Sequence, residues 1–141
     1  MEEIYQAVKR RFESNARLVQ LGRAIYPAGN IKTEEPPYVS CLVVTEEDVS
    51  TFDADVFKGT AEFAIVARGP ASDRCAAIAE ELFRTFHDSN WESSFVHVNV
   101  MRMRSATTVS REPESETNLL TATMRFAWTA SLMVPLSERT S

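Results

Sequence analysis

Residues 120–134 alternate with almost no break: Leu120, Ala122, Met124, Phe126, Trp128, Ala130, Leu132 and Val134 share one parity, and Thr121, Thr123, Arg125, Thr129 and Ser131 the other. A two-residue period puts successive side chains on opposite faces, so the stretch reads as a strand with one dry and one wet side. At ~3.3 Å per residue it spans about 50 Å, whereas a domain of this length has a radius of gyration of roughly 14 Å. The strand must bend, or the hairpin it forms with residues 95–105 must project beyond the body. A projecting hairpin with an open edge is an assembly element, because that edge can add to a neighbour's sheet.

The other elements follow from the same periodicities. Ile4, Val8, Phe12, Ala16 and Val19 recur at helical spacing, which predicts one amphipathic helix over residues 2–19 with Lys9, Arg10 and Arg17 on its wet side. Gly22, Pro27, Gly29, Asn30, Pro36 and Pro37 punctuate a connection that enters the next segment already extended. Residues 38–45 (YVSCLVVT) are β-branched and nearly all apolar, predicting a strand buried on both faces. A polar connection over residues 46–56 leads to an alternating strand over 57–68. Cys75, Ile78, Ala79, Leu82, Phe83 and Phe86 form one stripe of a second helix, over about 71–87, and Pro70 suits its first turn. In residues 95–105 the apolar parity slips from Val96, Val98 and Val100 to Met101 and Met103, which predicts a β-bulge near 100–101 that turns Arg102 and Arg104 outward. A Ser-, Thr- and Glu-rich loop over about 106–118 is expected to be mobile. The reading is a single domain of the α+β class over residues 1–141. A small antiparallel or mixed sheet is flanked by two helices in the order α-β-β-α-β-β, with a long C-terminal β-hairpin.

The chain carries a net charge of −5 on 141 residues, with 44% hydrophobic and 25% charged residues. That composition excludes disordered, collagenous and low-complexity classes, and leaves room for one core that needs no disulfide or metal. The charge is not evenly spread. Residues 33–57 hold Glu34, Glu35, Glu46, Glu47, Asp48, Asp53 and Asp55 and no basic residue, so the rest of the chain is slightly positive. Such a segment is a solvated acidic loop, or else a surface that repels a polyanion or meets a basic partner. The acidic N-terminus lacks the features of a signal peptide, no apolar run approaches the ~20 residues of a membrane span, and cytosolic assembly is expected.

The chemistry of common enzymes is sparse. His87 lies at a helix end and His97 opposite the valine face, while Cys41 and Cys75 fall on apolar faces that favour inert thiols. No familiar metal spacing occurs, and the four glycines, at 22, 29, 59 and 69, form no phosphate loop. Paired acids (Glu34 and Glu35, Glu46 and Glu47, Glu80 and Glu81) read as solvated surface, and Trp91, Trp128 and Phe126 as core. No catalytic, metal or cofactor site is expected.

Taken together, the N-terminal helix, "PPYVSCLVV" at 36–44, the acidic connection, "KGTAEFAIVAR" at 58–68 and "AAIAEELFRTF" at 76–86 resemble the tail terminator family of long-tailed bacteriophages, also called tail completion or head-tail joining proteins. The resemblance covers about residues 4–135. It implies a virion structural protein of the tail or neck, assembled in the host cytoplasm. Such a protein forms a homo-hexameric ring that caps the head-proximal end of the tail tube, ends tube polymerisation and joins the tail to the head connector or stopper. DNA would pass through the channel without specific contact. In that setting Glu46, Glu47, Asp48, Asp53 and Asp55 are candidates for an acidic channel surface, and Arg102, Arg104 and Arg111 for contacts with a neighbouring subunit, the tube protein or the connector. A ring needs two different surfaces on each subunit. The hairpin of 95–105 with 120–134 is expected to supply one, and the wet side of the first helix with the 57–68 strand the other. Another neck or minor tail adaptor, such as a connector-stopper, and a small ferredoxin-like binding or enzyme domain remain open alternatives.

Overall fold

A computed structural model describes residues 2–28, 37–52, 55–68, 72–93, 96–106, 110–111 and 119–132. The chain opens with α1 (Glu2–Glu13) and α2 (Ala16–Gly22), followed by the short strand β1 (Ile25–Pro27). Two long strands, β2 (Tyr38–Asp48) and β3 (Val56–Arg68), precede α3 (Ser72–Phe86). The remainder is β4 (Ser89–Ser93), β5 (Val96–Ala106), β6 (Ser110–Arg111) and β7 (Leu119–Leu132). The strands form one seven-stranded sheet in the order β1-β2-β3-β7-β5-β4, with β6 paired to β7. It is mixed because β1 runs parallel to β2 and every other pair is antiparallel. The α+β class stands, with three helices among the described residues in place of the two expected.

The predicted first helix divides at Asn15. That residue is extended (ψ 104°), and its side chain accepts the backbone N–H groups of Arg17 and Leu18, capping α2. The extended residue rotates the helical phase, so Leu18 is buried in place of Val19, which is 38% exposed. A short Asn inside an apolar 3.6-residue pattern was the available signal.

The core lies between the helices and one face of the sheet. Val39 and Cys41 of β2, Ala61, Phe63 and Ile65 of β3, Ala122, Met124, Phe126 and Trp128 of β7, and Val96, Val98 and Met101 of β5 point toward Ile4, Val8, Phe12, Leu18, Ile78, Leu82 and Phe86. Phe63 meets Phe126 edge-on at 5.5 Å and Phe86 at 5.0 Å between ring centres, so α3 is keyed to the two central strands by aromatic packing. Trp91 of β4 extends the cluster at 5.8 Å from Phe86.

Among the described residues, no helix covers the other face of the sheet. Leu42 is 50% exposed and Val44 40%, so the expectation that residues 38–45 are buried on both faces is corrected. Their core-side neighbours alone face the helical layer. The projecting-hairpin expectation changes as well: β7 pairs with β3 from Val56↔Ser131 to Arg68↔Leu119, so the long strand lies along an equally long partner. Both β3 and β7 are interior strands, which leaves β1, β4 and the short β6 at the edges among the described residues. The bulge in β5 falls between Val98 and Val100, slightly before the predicted place, and a second occurs between Met103 and Ser105. Most of the 106–118 loop lies outside the described residues, although Ser110–Arg111 within it pair with β7 as β6.

Candidate functional site

The bare face of the sheet holds an open groove of about 660 Å³, lined among others by Glu46, Glu47, Lys58, Thr60, Arg102 and Arg125. Strand register explains the gathering. Thr60 of β3 and Arg102 of β5 both lie opposite Ala127 of β7, Lys58 lies opposite Thr129, and Arg125 lies opposite Glu62. A β-bulge between Thr45 and Glu47 interrupts the alternation of β2, which lets two adjacent glutamates line the same groove. Glu47 is in register with Lys58, and Glu46 accepts a hydrogen bond from the Thr60 hydroxyl at 3.3 Å. The Arg125 guanidinium donates to Glu62 at 3.0 Å, and Arg102 Nε donates to Asp88 Oδ1 at 2.8 Å. Asp88 reaches back from the turn after α3 with a positive φ of 54°.

Of the residues singled out in the sequence, then, Glu46, Glu47 and Arg102 share one groove. Asp48 does not join them. It ends β2, where its carboxylate accepts the Ser50 backbone N–H at 2.9 Å, and hydrogen bonding by Ser50 holds it below the usual aspartate range. Asp55 sits across the same turn, its carbonyl accepting the Leu132 N–H at 2.9 Å. Asp53 lies outside the described residues. Arg104 is the extra residue of the second β5 bulge, and Arg111 pairs with Leu120 through β6. Sequence reasoning missed Lys58, Thr60 and Arg125 as groove residues. Their alternating parity was visible, but which strands would flank them was not.

The same turn carries a residue that sequence reasoning left unremarked. Phe52 has 104% of its reference surface exposed, more than any other large apolar side chain described. The turn beneath it is tied by Val49 N–H to the Val56 carbonyl at 2.9 Å and by Val56 N–H to the Ser50 hydroxyl at 3.0 Å.

Across the sheet, near the β4 edge, a second hollow of about 420 Å³ is lined by Arg10, Arg11, Ser14, Trp91, Glu92 and Ser93. The Arg11 guanidinium lies 4.7 Å from the Trp91 ring centre, its Nε donates to the Thr85 carbonyl at 2.8 Å, and Trp91 Nε1 donates to the Ala7 carbonyl at 3.3 Å. These bonds fix the aromatic wall of the hollow.

Both histidines have structural partners. His87 Nδ1 accepts the Met103 N–H at 3.0 Å while its ring stacks on Phe83 at 4.4 Å. His97 Nε2 lies 2.7 Å from Asn90 Oδ1. Burial pushes the Cys41 thiol up to about 12 and also raises that of Cys75. Among the described residues, no three His, Cys, Asp or Glu side chains are placed to share a metal ion, and no helix is long and apolar enough to cross a membrane.

Fold and surface together define an α+β domain whose mixed sheet is covered by helices on one side and presents a polar, ion-paired face on the other. No protein-family profile and no curated protein matches the sequence. Solved structures do share the fold. A chain from the virion of a native gene transfer agent particle superposes with a TM-score of 0.69 at 14% identity, covering 86% of this chain and 90% of that one. A second solved chain matches with a TM-score of 0.54 at 17% identity, over 93% of this chain and 97% of the other.

Proposed function

We propose that this protein is a structural component of a phage-like virion, and specifically a tail terminator. Its subunits would form a hexameric ring on the head-proximal end of the tail tube, stop tube-protein addition and present a surface to the head connector or stopper. The observation that carries this reading is the fold shared over nearly the whole of both chains with a component of a gene transfer agent virion. A broad sheet face held by ion pairs, and a recess that narrows to no enclosed cavity, agree with a role in contacts between proteins.

In the ring, Arg102, Arg104 and Arg111 contact acidic groups of a neighbour, the tube or the connector. Carboxylates of the acidic segment, Glu46, Glu47, Asp48, Asp53 and Asp55, line the channel wall, where their charge keeps passing DNA from adhering. The test is native mass over a wide concentration range, followed by mixing with purified tail tubes. A sixfold species, or capping of tube ends seen by electron microscopy, is the expected result. A monomer that leaves tube ends bare and tube growth unaltered overturns the reading.

A further inference from the structure

We infer that His87 is a proton-operated latch on β5: the neutral ring holds the Met103 backbone N–H, and the protonated ring releases it and turns to Asp88. The device goes beyond the assembly role proposed above and does not depend on it.

The latch stands where the ladder between β4 and β5 runs out. Ser89, the first residue of β4, pairs with Met101 of β5. In an antiparallel pair, two residues back from Ser89 and two on from Met101 bring His87 beside Met103. Because α3 ends at Phe86, the chain at His87 has left the helix and not yet joined the sheet. The Met103 N–H therefore meets an imidazole in place of a strand carbonyl, donating to Nδ1 at 3.0 Å. Met103 is half-buried, and an N–H taken from water without an acceptor costs about as much as a lost hydrogen bond. The ring thus closes the end of the β5 edge.

An imidazole nitrogen that accepts a hydrogen bond carries no proton, so this contact requires the neutral ring with its proton on Nε2. Nε2 lies 3.4 Å from Asp88 Oδ2. The other carboxylate oxygen, Oδ1, accepts the Arg102 Nε–H at 2.8 Å. The ring is set between a backbone donor and a carboxylate, lying nearly flat on Phe83 with 4.4 Å between ring centres and 16° between planes. In an imidazolium both nitrogens are donors. A second proton points Nδ1–H at the Met103 N–H, and the new charge draws Nε2 toward Asp88. One hydrogen bond is lost, one ion pair is strengthened, and the ring slides over Phe83 between the two.

Asp88 and Arg102 are the charged groups that the described contacts bring to this ring. Arg84, one turn back on α3, is paired with Glu80. His97 of β5 faces Glu92 of β4 at 3.7 Å, further along that strand pair. The side chain of Arg104, next after Met103, lies outside the described residues. Arg102 also lines the groove on the bare face of the sheet. Release therefore frees a backbone donor beside the groove wall and leaves Arg102 sharing its carboxylate with a second cation.

The test is NMR on the full chain from about pH 8 to about pH 5, the range in which imidazoles change charge. At the alkaline end the His87 ring nitrogens should show the proton on Nε2. As the ring gains its second proton, exchange protection of the Met103 amide, taken against its intrinsic rate at each pH, should fall at least about tenfold while the amides of β3 hold. His87→Gln has no proton to gain, so its Met103 protection should not vary with pH, whereas His97→Gln should keep the wild-type response. A proton on Nδ1 at the alkaline end, a ring that stays neutral throughout, or Met103 protection that does not follow the ring overturns the latch. These are wild-type readouts and decide the matter even if a variant folds poorly. A pH response that survives His87→Gln overturns it as well.

Discussion

Gly59 of β3 lies directly across from Trp128 of β7, and the indole covers the position a side chain would take. A Cβ there would stand 1.9 Å from the Val44 carbonyl oxygen and 2.6 Å from Trp128 Cζ2, so the strand, not only the side chain, would have to move. Gly59→Ala is expected to cost at least ~2–3 kcal/mol in urea unfolding, with loss of the native tryptophan emission. Cys41 gives a different kind of residue-scale prediction. Its thiol is raised from an ordinary 9.0 to about 12 by burial, and the Tyr5 hydroxyl from 10.0 to about 12, chiefly by burial. Both are held protonated in the fold, so their contribution is fully present below about pH 9 and is lost as the pH climbs toward 12. Thermal melts should fall across that alkaline window, and a thiol reagent at pH 8 should label Cys41 only after unfolding.

At the scale of elements, α2 has seven residues, too few to hold together without help. Asn15 supplies that help: it caps the helix and its amide donates to Thr85 Oγ1 at 2.8 Å and to Glu81 at 3.2 Å, tying the α1–α2 corner to α3. Asn15→Ala should therefore destabilise by ~1–2 kcal/mol in chemical denaturation, with Asn15→Asp recovering part of it through the cap. Legibility followed the strength of local period. The alternation of β3 and β7 and the stripe of α3 could be read directly, as could the slipped phase of β5, because each repeats over enough residues to outweigh noise. The three residues of β1 and the break at Asn15 carry too little periodic signal, and β4 is masked by the polar Ser89 and Asn90 at its start. The apolar run of β2 misled because apolarity alone does not say whether a second layer exists to cover it.

For the whole molecule, the strand order brings distant parts of the chain into one surface. Glu46 and Glu47 meet Arg102 in the groove only because β2, β3, β7 and β5 are successive neighbours. Arg102 is 64% exposed at its side chain and pairs with Asp88 in a setting where such pairs contribute under ~1 kcal/mol. Reversing Arg102 and Arg104 together to Glu is thus expected to leave the monomer's melting transition nearly unchanged and to abolish the assembled species in light scattering. Assembly that persists, or a melting transition that collapses, would separate these arginines from subunit contacts. The structure also moves one expected surface: β3 is interior, so it offers a neighbour its face and not its edge.

From the order of residues alone came the α+β class, the dry faces of the long strands, the buried thiols and the concentration of acid in one segment. Each of these depends on local spacing or composition, which short-range physics makes visible. Strand neighbours, the single helical layer and the gathering of Glu46, Glu47 and Arg102 in one groove came from packing. Those depend on which hydrophobic faces meet across long stretches of chain, a competition among distant partners that no local window contains.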